Sequence, residues 1–263
     1  MSCVSEALDR HLRELHLPTF RDCYASSARR AESETLGYEQ YLLELSEREC
    51  QTRQQHRVDR LLRQSRLPLE KNLSSFDLKR LPAKLSLQFK GLLDGGFVNR
   101  QENILAFGNP GSGKTHALCA IGQELICRSQ GRLKVFFSPC SLLVQELLMA
   151  KRDLRLEKVL KRLRGYDVLI IDDLGYVQYD RQEMEVLFTL LADRYERRSV
   201  MITSNLPFSK WEAIFKDPMT TAAVIDRLVH HSVILEMNVG SYRLEQAKAK
   251  TGRRSAQSLK GGG

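Results

Sequence analysis

Residues 103–127 have the sequence NILAFGNPGSGKTHALCAIGQELIC, which joins an apolar run, a glycine-rich loop and a helical pattern. The loop GNPGSGKT matches the pattern G-x-x-x-x-G-K-[ST]. Its glycines let the backbone curl so that successive N–H groups point inward, and the N-terminus of the following helix adds a partial positive charge. The stretch therefore predicts a strand, a phosphate-binding loop and a helix.

Two polar residues of this loop have expected roles. We expect Lys114 to reach the β- and γ-phosphates of a nucleoside triphosphate, and the hydroxyl of Thr115 to bind Mg²⁺. A glycine-rich turn alone would explain the glycines, but it would not require a strand before them and a helix after them. The predicted nucleotide-binding residues of the loop are Gly108, Asn109, Pro110, Gly111, Ser112, Gly113, Lys114, Thr115 and His116.

Four further apolar runs follow, separated by amphipathic segments. With the first run, the strand candidates are NILAF, LKVFFS, DVLIID, SVMITS and SVILEM. Each has roughly the length of a strand, and the segments between them are long enough for crossover helices. This alternation predicts an α/β domain with a five-stranded, mostly parallel sheet that has helices on both faces.

Polar residues follow two of these runs. Asp172 and Asp173 come directly after Val168–Ile171, where the carboxyl end of a buried strand would deliver them to a ligand crevice. We expect Asp172 to help hold the metal and Asp173 to act as a general base toward the attacking water. Asn205 follows the fourth run at the same sheet edge, where it could orient that water. There is a purely structural alternative for each group. Asp172 and Asp173 could simply cap the end of the strand, and Asn205 could belong to a polar turn before a proline.

The chain before the sheet has apolar residues at helical spacing, divided by prolines and a glycine into short helices. We expect a small all-helical N-terminal interaction domain at 1–66, a linker at 67–81 and an ATPase domain at 82–247. The segment 248–263 has five basic residues and no acidic one, so we expect it to be a basic, disordered tail.

Composition narrows the class of protein. The 263 residues include 41 Lys and Arg against 32 Asp and Glu, and this net charge of +9 is compatible with a polyanionic partner. The six cysteines form no C-x-x-C pair, so neither a disulfide framework nor a zinc site is indicated. No apolar run approaches the ~18–20 residues needed to span a bilayer. We therefore expect a cytoplasmic protein that does not associate with a membrane.

Several short motifs carry a family resemblance. The glycine-rich loop, IIDD, TSN, VIDRLVHHSVIL and GSYRL occur in this order. The chain resembles the AAA+ ATPases of the DnaA/DnaC initiator and helicase-loader branch, and within that branch it resembles the IstB-like ATP-binding proteins that assist insertion-sequence transposases. The resemblance implies an AAA+ P-loop core that binds ATP and Mg²⁺ and hydrolyses ATP.

The resemblance also implies roles for residues at the sheet edge. Asp172 and Thr115 match the metal-side positions, Asp173 the water-activating position, and Asn205 the first sensor. Most AAA+ ATPases have a glutamate where Asp173 stands, so the carboxylate here is one methylene shorter. Aspartate also occurs at this position in the loader and helper branch, so the resemblance still implies hydrolysis without fixing its rate.

Two arginines near the end of the core complete the implied site. Arg227 matches the arginine finger that one subunit supplies to the ATP of its neighbour, although an ion pair with Asp226 would also explain it. Arg243, in GSYRL, matches the second sensor of many AAA+ proteins.

The stretch KRDLRLEKVLKRLR, residues 151–164, has seven basic and two acidic residues. In initiator-type AAA+ proteins a helical element at this place faces the central channel of the oligomer. The resemblance therefore implies contacts with DNA phosphates, independent of sequence and weakened by salt. A solvated helix face is the alternative. The residues expected to contact DNA are Lys151, Arg152, Arg155, Lys158, Lys161 and Arg162.

These features predict an ATPase that forms homo-oligomers on duplex DNA, with ATP at the subunit interfaces. Its expected task is regulation or target selection for a partner transposase of the integrase type in DNA transposition. A DnaC- or DnaI-like loader of a replicative helicase is one alternative, because loaders share the ATPase core. A nucleotide-binding interaction module without significant turnover is another.

Overall fold

The computed structural model describes residues 3–176, 179–215 and 217–242. The chain divides into two compact units, with the boundary after Arg60. The first unit contains helices only, and α3 runs past the boundary. These helices are α1 (Cys3–Glu14), α2 (Pro18–Ser33) and α3 (Tyr38–Gln64).

A buried carboxylate organises the first unit. Glu49 of α3 is only 3% exposed, and its Oε2 accepts hydrogen bonds from the backbone amides of Thr19 (2.9 Å) and Phe20 (3.3 Å). These amides lie in the first turn of α2, where they have no acceptor within the helix. Arg53 Nε donates to the second carboxylate oxygen at 2.6 Å. Glu49 therefore caps α2 from a distant part of the chain.

The second unit consists of a sheet and eight helices within the described residues. Its strands are β1 (Asn103–Phe107), β2 (Val135–Pro139), β3 (Val168–Leu174), β4 (Ser199–Ser204) and β5 (Ser232–Glu236). Its helices are α4 (Ala83–Leu92), α5 (Gly96–Asn99), α6 (Lys114–Arg128), α7 (Cys140–Arg152), α8 (Leu156–Arg164), α9 (Arg181–Arg194), α10 (Glu212–Phe215) and α11 (Pro218–Val229).

The five strands have the order β2-β3-β4-β1-β5, and every pairing is parallel. Ile104 of β1 is in register with Met201 of β4 on one side and Val233 of β5 on the other. Because parallel strands end at one edge, the residues after β1, β3 and β4 come together there. The predicted five-stranded sheet is confirmed, and it is wholly parallel among the described residues.

Helices cover both faces of the sheet. Leu169 and Ile171 of β3 belong to the core cluster that includes residues of α7 and α9. Side chains alternate along a strand, so Ile170 points to the other face. There it meets α6, where a Cβ on Gly122 would lie 2.9 Å from Ile170 Cδ1. Burial on both faces explains why the strands are apolar runs without alternation.

Residues 67–81, expected to form a linker, lie in the second unit and contact α6. Gln123 Nε2 donates to the carbonyl oxygens of Pro68 and Lys71, both at 3.1 Å. A 3₁₀ turn at Leu78–Arg80 precedes α4. These contacts hold the segment beside α6.

None of the helices in the described ranges is both long and apolar enough to cross a membrane. The predicted tail at 248–263 and the predicted second sensor, Arg243, lie outside the described residues.

Candidate functional site

The loop between β1 and α6 requires glycine at two positions at least. Gly108 and Gly111 have φ of +149° and +81°, which L side chains rarely adopt. A Cβ at Gly108 would overlap the carbonyl of Met237, and one at Gly111 would overlap the side chain of Ser241. The loop can therefore curl tightly only with glycine, as the motif predicts.

Lys114, the first residue of α6, is held within the loop. It is 6% exposed, and its Nζ donates to the carbonyl oxygens of Gly108 (2.8 Å) and Asn109 (3.0 Å). The Oγ of Ser112 is buried and has no hydrogen-bond partner among the described residues. A cation and an unpaired hydroxyl in a glycine cradle fit a bound phosphate group.

A hydroxyl and a carboxylate meet at the start of α6. Thr115 Oγ1 donates to Asp172 Oδ1 at 2.8 Å, and Thr203 Oγ1 donates to the same oxygen at 2.6 Å. Asp172 is 7% exposed. Hydroxyl and carboxylate oxygens are the ligands that Mg²⁺ prefers. Thr115 and Asp172 therefore fit the predicted metal site, and Thr203 orients the carboxylate.

Asp173 is redirected by an irregularity in the sheet. The register between β3 and β4 shifts between Ile171 and Leu174, and Asp173 has a φ of +61°. Its amide donates to Thr203 Oγ1 at 2.8 Å. Bulges often re-aim a side chain beside an active site, and aspartate tolerates the left-handed conformation better than most residues. Asp173 is exposed and lines a cavity beside the loop, whereas Asp172 is buried.

That cavity has a volume of about 410 Å³, which suits a small-molecule site. Asn205, after β4, also lines it, and its Oδ1 is buried without a hydrogen-bond partner in the described part of the chain. The structure thus brings Asp173 and Asn205 together with the loop. The wall residues are Lys71, Ser75, Phe76, Asp77, Arg80, Leu81, Pro110, Gly111, Ser112, Gly113, Lys114, Thr115, His116, Asp173, Tyr176, Asn205, Val239 and Tyr242.

Two wall segments, residues 71–81 and 239–242, were not assigned to the site from sequence. Arg80 links them, because its Nη2 donates to the carbonyl of Gly240 at 3.1 Å and its guanidinium lies 5.0 Å from the ring centre of Tyr242. The amide of Tyr242 in turn donates to the carbonyl of Gly111 at 3.0 Å. The far wall is therefore tied directly to the phosphate-binding loop.

His116, predicted to contact the nucleotide, holds the first of these segments. Its Nε2 lies 3.0 Å from the carbonyl oxygen of Asn72 and 3.1 Å from Ser75 Oγ. Its ring meets Phe76 edge-on, with centroids 5.1 Å apart. The stretch SSFDLKRL contains aromatic and basic side chains that could have indicated a binding site, but it matches no motif that assigns it to one.

Two buried thiols near the sheet are unreactive. Burial raises the pKa of Cys119, on α6, to about 12 and that of Cys140, at the start of α7, to about 11. Both thiols are therefore protonated at neutral pH, and neither is a nucleophile.

Arg227 lies near the end of α11 and is not among the residues of the described chain that line the cavity. Its guanidinium lies 4.8 Å from the ring centre of Phe188, on α9. Its Nη1 is buried without a hydrogen-bond partner among the described residues, and within the described ranges Arg227 forms no ion pair with Asp226, its neighbour on α11. The alternative of a local ion pair therefore finds no support.

The six cations predicted to contact DNA fall into two groups on α7, α8 and the turn between them. Lys151 pairs with Glu185 at 3.0 Å, and Arg162 pairs with Glu146 at 2.7 Å. The other four are exposed and form no ion pair within the described ranges. They are Arg152, Arg155, Lys158 and Lys161.

Comparison with known proteins agrees with this geometry. The family described as "IstB-like ATP binding protein" matches residues 10–250. An insertion-sequence ATP-binding protein of Sinorhizobium fredii is 41% identical over 249 residues, which cover 93% of this chain and 83% of that protein. The ATP-binding protein of insertion sequence IS21 from Pseudomonas aeruginosa is 36% identical over 250 residues, covering 94% and 91%.

Solved structures share the fold. DnaI has a TM-score of 0.54 at 21% identity, covering 65% of this chain and 94% of that chain. DnaA from Aquifex aeolicus with bound AMPPCP has a TM-score of 0.54 at 16% identity, covering 72% and 56%. The predicted AAA+ P-loop core and the resemblance to IstB-like proteins are confirmed, and with them the class of ATP-binding AAA+ ATPase.

Proposed function

This chain belongs to the IstB-like ATP-binding protein family, and on that basis we propose that it forms ATP-dependent oligomers on duplex DNA. In this proposal it selects the target for a partner transposase of the integrase type, and so acts in DNA transposition and recombination. A cytoplasmic location, where ATP and DNA are both available, belongs to the same proposal.

One observation carries the proposal. Thr115, Asp172, Asp173 and Asn205 come from three separate segments and meet at the phosphate-binding loop, whereas Arg227 stands outside the cavity of its own chain. A site with this content can bind a nucleoside triphosphate, and Arg227 is not among the described residues that line it. We expect Arg227 to act on the site of a second copy of the chain.

ATP would lie with its phosphates on the loop and its base toward residues 71–81 and 239–242. Lys114 and the loop amides would bind the phosphates. Thr115 and Asp172 would hold Mg²⁺, which when bound supplies positive charge to the β- and γ-phosphates.

Hydrolysis requires a water placed in line with the γ-phosphorus. Asp173 would accept a proton from that water as the new P–O bond forms and the bond to ADP breaks. Asn205 would orient the water through its amide. The bulge that turns Asp173 toward the cavity supports this role for a carboxylate shorter than glutamate.

Arg227 would act on the ATP of a neighbouring subunit. Charge grows on the γ-phosphoryl oxygens in the transition state, and a guanidinium in trans would neutralise it. ATP would then contact two subunits, so its binding would favour the assembled state by linkage. The position of Arg227 outside the cavity of its own chain supports this role.

Contact with duplex DNA is proposed for the four exposed cations on the α7–α8 stretch. A cation without a carboxylate partner in the protein binds a phosphate at the lowest cost in free energy, because no ion pair must break. Such contacts release counterions and are independent of sequence. Lys151 and Arg162, which already have carboxylate partners, would contribute less.

ATP turnover at increasing protein concentration tests the proposed ATPase. If Arg227 acts in trans, the rate per subunit will rise with concentration and will rise further with duplex DNA, which gathers subunits. Asp173→Asn is the control that keeps the shape and removes the base. Turnover per subunit that is independent of both concentration and DNA would contradict the proposal. The likeness to the fold of DnaI then makes helicase loading the next function to test.

A further inference from the structure

The turn between α7 and α8 exposes an apolar side chain. Leu154 is 95% exposed, and its φ of +56° lies in the left-handed region. Of the eight non-glycine residues with positive φ in the described chain, seven are polar and Leu154 alone is apolar. A bulky apolar residue is unfavourable in that conformation. Neither burial nor backbone preference explains a leucine at this position.

The turn has the hydrogen bonds of a Schellman motif, which usually places glycine at the left-handed position. The amide of Leu154 donates to the carbonyl of Lys151 at 3.2 Å, and the amide of Arg155 donates to the carbonyl of Ala150 at 2.7 Å. Glycine would form the same turn without steric cost. The fold therefore does not need the Leu154 side chain, which is free to bind something else.

Unpaired positive charge surrounds this apolar tip. The two acidic residues of the stretch are Asp153 and Glu157, and Glu157 is already paired with Arg164 at 2.8 Å. Before Leu154 the charges of Arg152 and Asp153 offset each other, whereas after Leu154 the cations without an ion pair in the described chain leave an excess of positive charge. The exposed cations without an ion pair in the part of the chain described here are Arg152, Arg155, Lys158 and Lys161.

We propose that Leu154 is a wedge that inserts between base pairs of duplex DNA from the minor groove, while the flanking cations bind the phosphates. This inference rests on the duplex binding proposed above. Minor-groove proteins that insert leucine or similar side chains kink the duplex by about 20–90°. Surrounding cations favour a polyanion as the occupant, rather than an apolar protein surface.

The wedge gives the protein a preference among DNA sequences without hydrogen bonds to bases. Pyrimidine–purine steps such as TA unstack most readily, whereas A-tracts are stiff. Insertion of Leu154 would therefore favour sites that contain a flexible step. Phosphate contacts alone would not distinguish the two kinds of site.

Leu154→Gly is the variant that isolates this role. It removes the wedge and places glycine where the backbone favours it, so the protein is expected to fold at least as well as the parent. The matched control is Leu87→Ala on α4, because Leu87 is also exposed (74%) but lies in an ordinary helical turn outside the basic stretch.

The experiment uses the full chain with ATP and a short duplex that carries a fluorophore at each end and 2-aminopurine at a central TA step. Energy transfer between the ends measures bending, and 2-aminopurine fluorescence measures unstacking. The parent and Leu87→Ala are expected to raise both signals. Leu154→Gly is expected to bind with the same salt dependence, to raise neither signal and to lose the preference for TA over an A-tract.

Three outcomes would overturn the wedge. If Leu154→Gly binds, bends and unstacks the duplex as the parent does, the leucine is not inserted. If Leu154→Gly fails to assemble with ATP in the absence of DNA while Leu87→Ala assembles, Leu154 is a subunit contact. If the parent itself does not bind duplex DNA under any nucleotide condition, the proposed function fails and the wedge fails with it. The first two outcomes leave the proposed function standing.

Discussion

Thr115 Oγ1 donates a 2.8 Å hydrogen bond to Oδ1 of Asp172, which joins the first turn of α6 to the end of β3. The hydroxyl belongs to the phosphate-binding loop, and the carboxylate belongs to β3. Their contact places two oxygen ligands of the proposed metal site within one hydrogen bond of each other. Metal binding at the proposed site therefore requires both segments.

Asp172→Asn should separate metal binding from nucleotide binding. The amide oxygen can still accept the hydrogen bond from Thr115, but the negative charge that would attract Mg²⁺ is lost. We expect the affinity for ATP in the presence of Mg²⁺ to fall about tenfold or more, and the affinity measured with a chelator to change little. Titration calorimetry under both conditions checks this. Equal losses with and without Mg²⁺ would assign Asp172 a purely structural role.

Lys114→Ala should weaken ATP binding about 10–100-fold, because charged hydrogen bonds to phosphate are lost. Its Nζ is already held by the carbonyls of Gly108 and Asn109, so the loss reflects a preorganised cation. Lys90→Ala, which removes an exposed lysine of α4, is the matched control. A fluorescent ATP analogue provides the measurement. Unchanged affinity in Lys114→Ala would remove the loop from the nucleotide site.

Arg227→Ala should lower turnover by about 10³-fold or more while ATP binding persists, as for other arginine fingers. Mixing gives a sharper test, because Arg227→Ala subunits keep Asp173 and Asp173→Asn subunits keep Arg227. Mixed oligomers would then contain complete sites at the interfaces between the two kinds of subunit. We expect the mixture to hydrolyse ATP faster than either variant alone. Full turnover by Arg227→Ala alone would exclude the finger.

The triple variant Arg152→Ala, Arg155→Ala, Lys158→Ala should flatten the salt dependence of duplex binding. Each phosphate contact contributes about −0.9 to the slope of log affinity against log salt, so a loss of up to about 2.7 is expected. The double variant Lys151→Ala, Arg162→Ala is the control, because its cations are already paired. Fluorescence anisotropy across a salt series measures both slopes. An equal or larger change in the double variant would move the DNA contact to the paired cations.

Glu49→Gln should make stability less dependent on pH. Burial alone would raise the pKa of the Glu49 carboxyl, but hydrogen bonds from Arg53, Phe20 and Thr19 lower it below its ordinary value of 4.5. The stabilisation is therefore present above pH 4.5 and is lost as the pH falls through the lower pKa of the folded state.

Thermal unfolding measured at pH 7 and at acid pH tests the contribution of Glu49 to stability. We expect Glu49→Gln to cost about 1–3 kcal/mol at pH 7 and less as the carboxyl of the parent becomes protonated. Glu47→Gln, at an exposed position of the same helix, is the control. A difference between the parent and Glu49→Gln that stays constant over this pH range would refute the capping role.

The fold was predictable because the decisive signals are local. The apolar runs, and the glycine loop between a strand and a helix, are patterns of neighbouring residues. These patterns are sufficient to predict the parallel sheet. The acidic and polar residues at the ends of β3 and β4 followed from the same reasoning, since parallel strands share one edge.

Other features depend on contacts that are distant along the chain. No local pattern signals that Asp173 would sit in a bulge, because the register shift is a property of β3 and β4 together. The segment 71–81 becomes part of the cavity wall through Gln123 and His116 of α6. Leu154 looks ordinary in sequence, and only its exposure and backbone conformation set it apart.

Binding of the purified protein to duplex DNA with ATP, with ADP and without nucleotide tests the central claim most directly. Light scattering would record the size of the assembly across a salt series. The account predicts large complexes on duplex DNA with ATP, weakened by salt and much reduced in the other two states. Binding that is absent in all three states, or equal in all three, would contradict it.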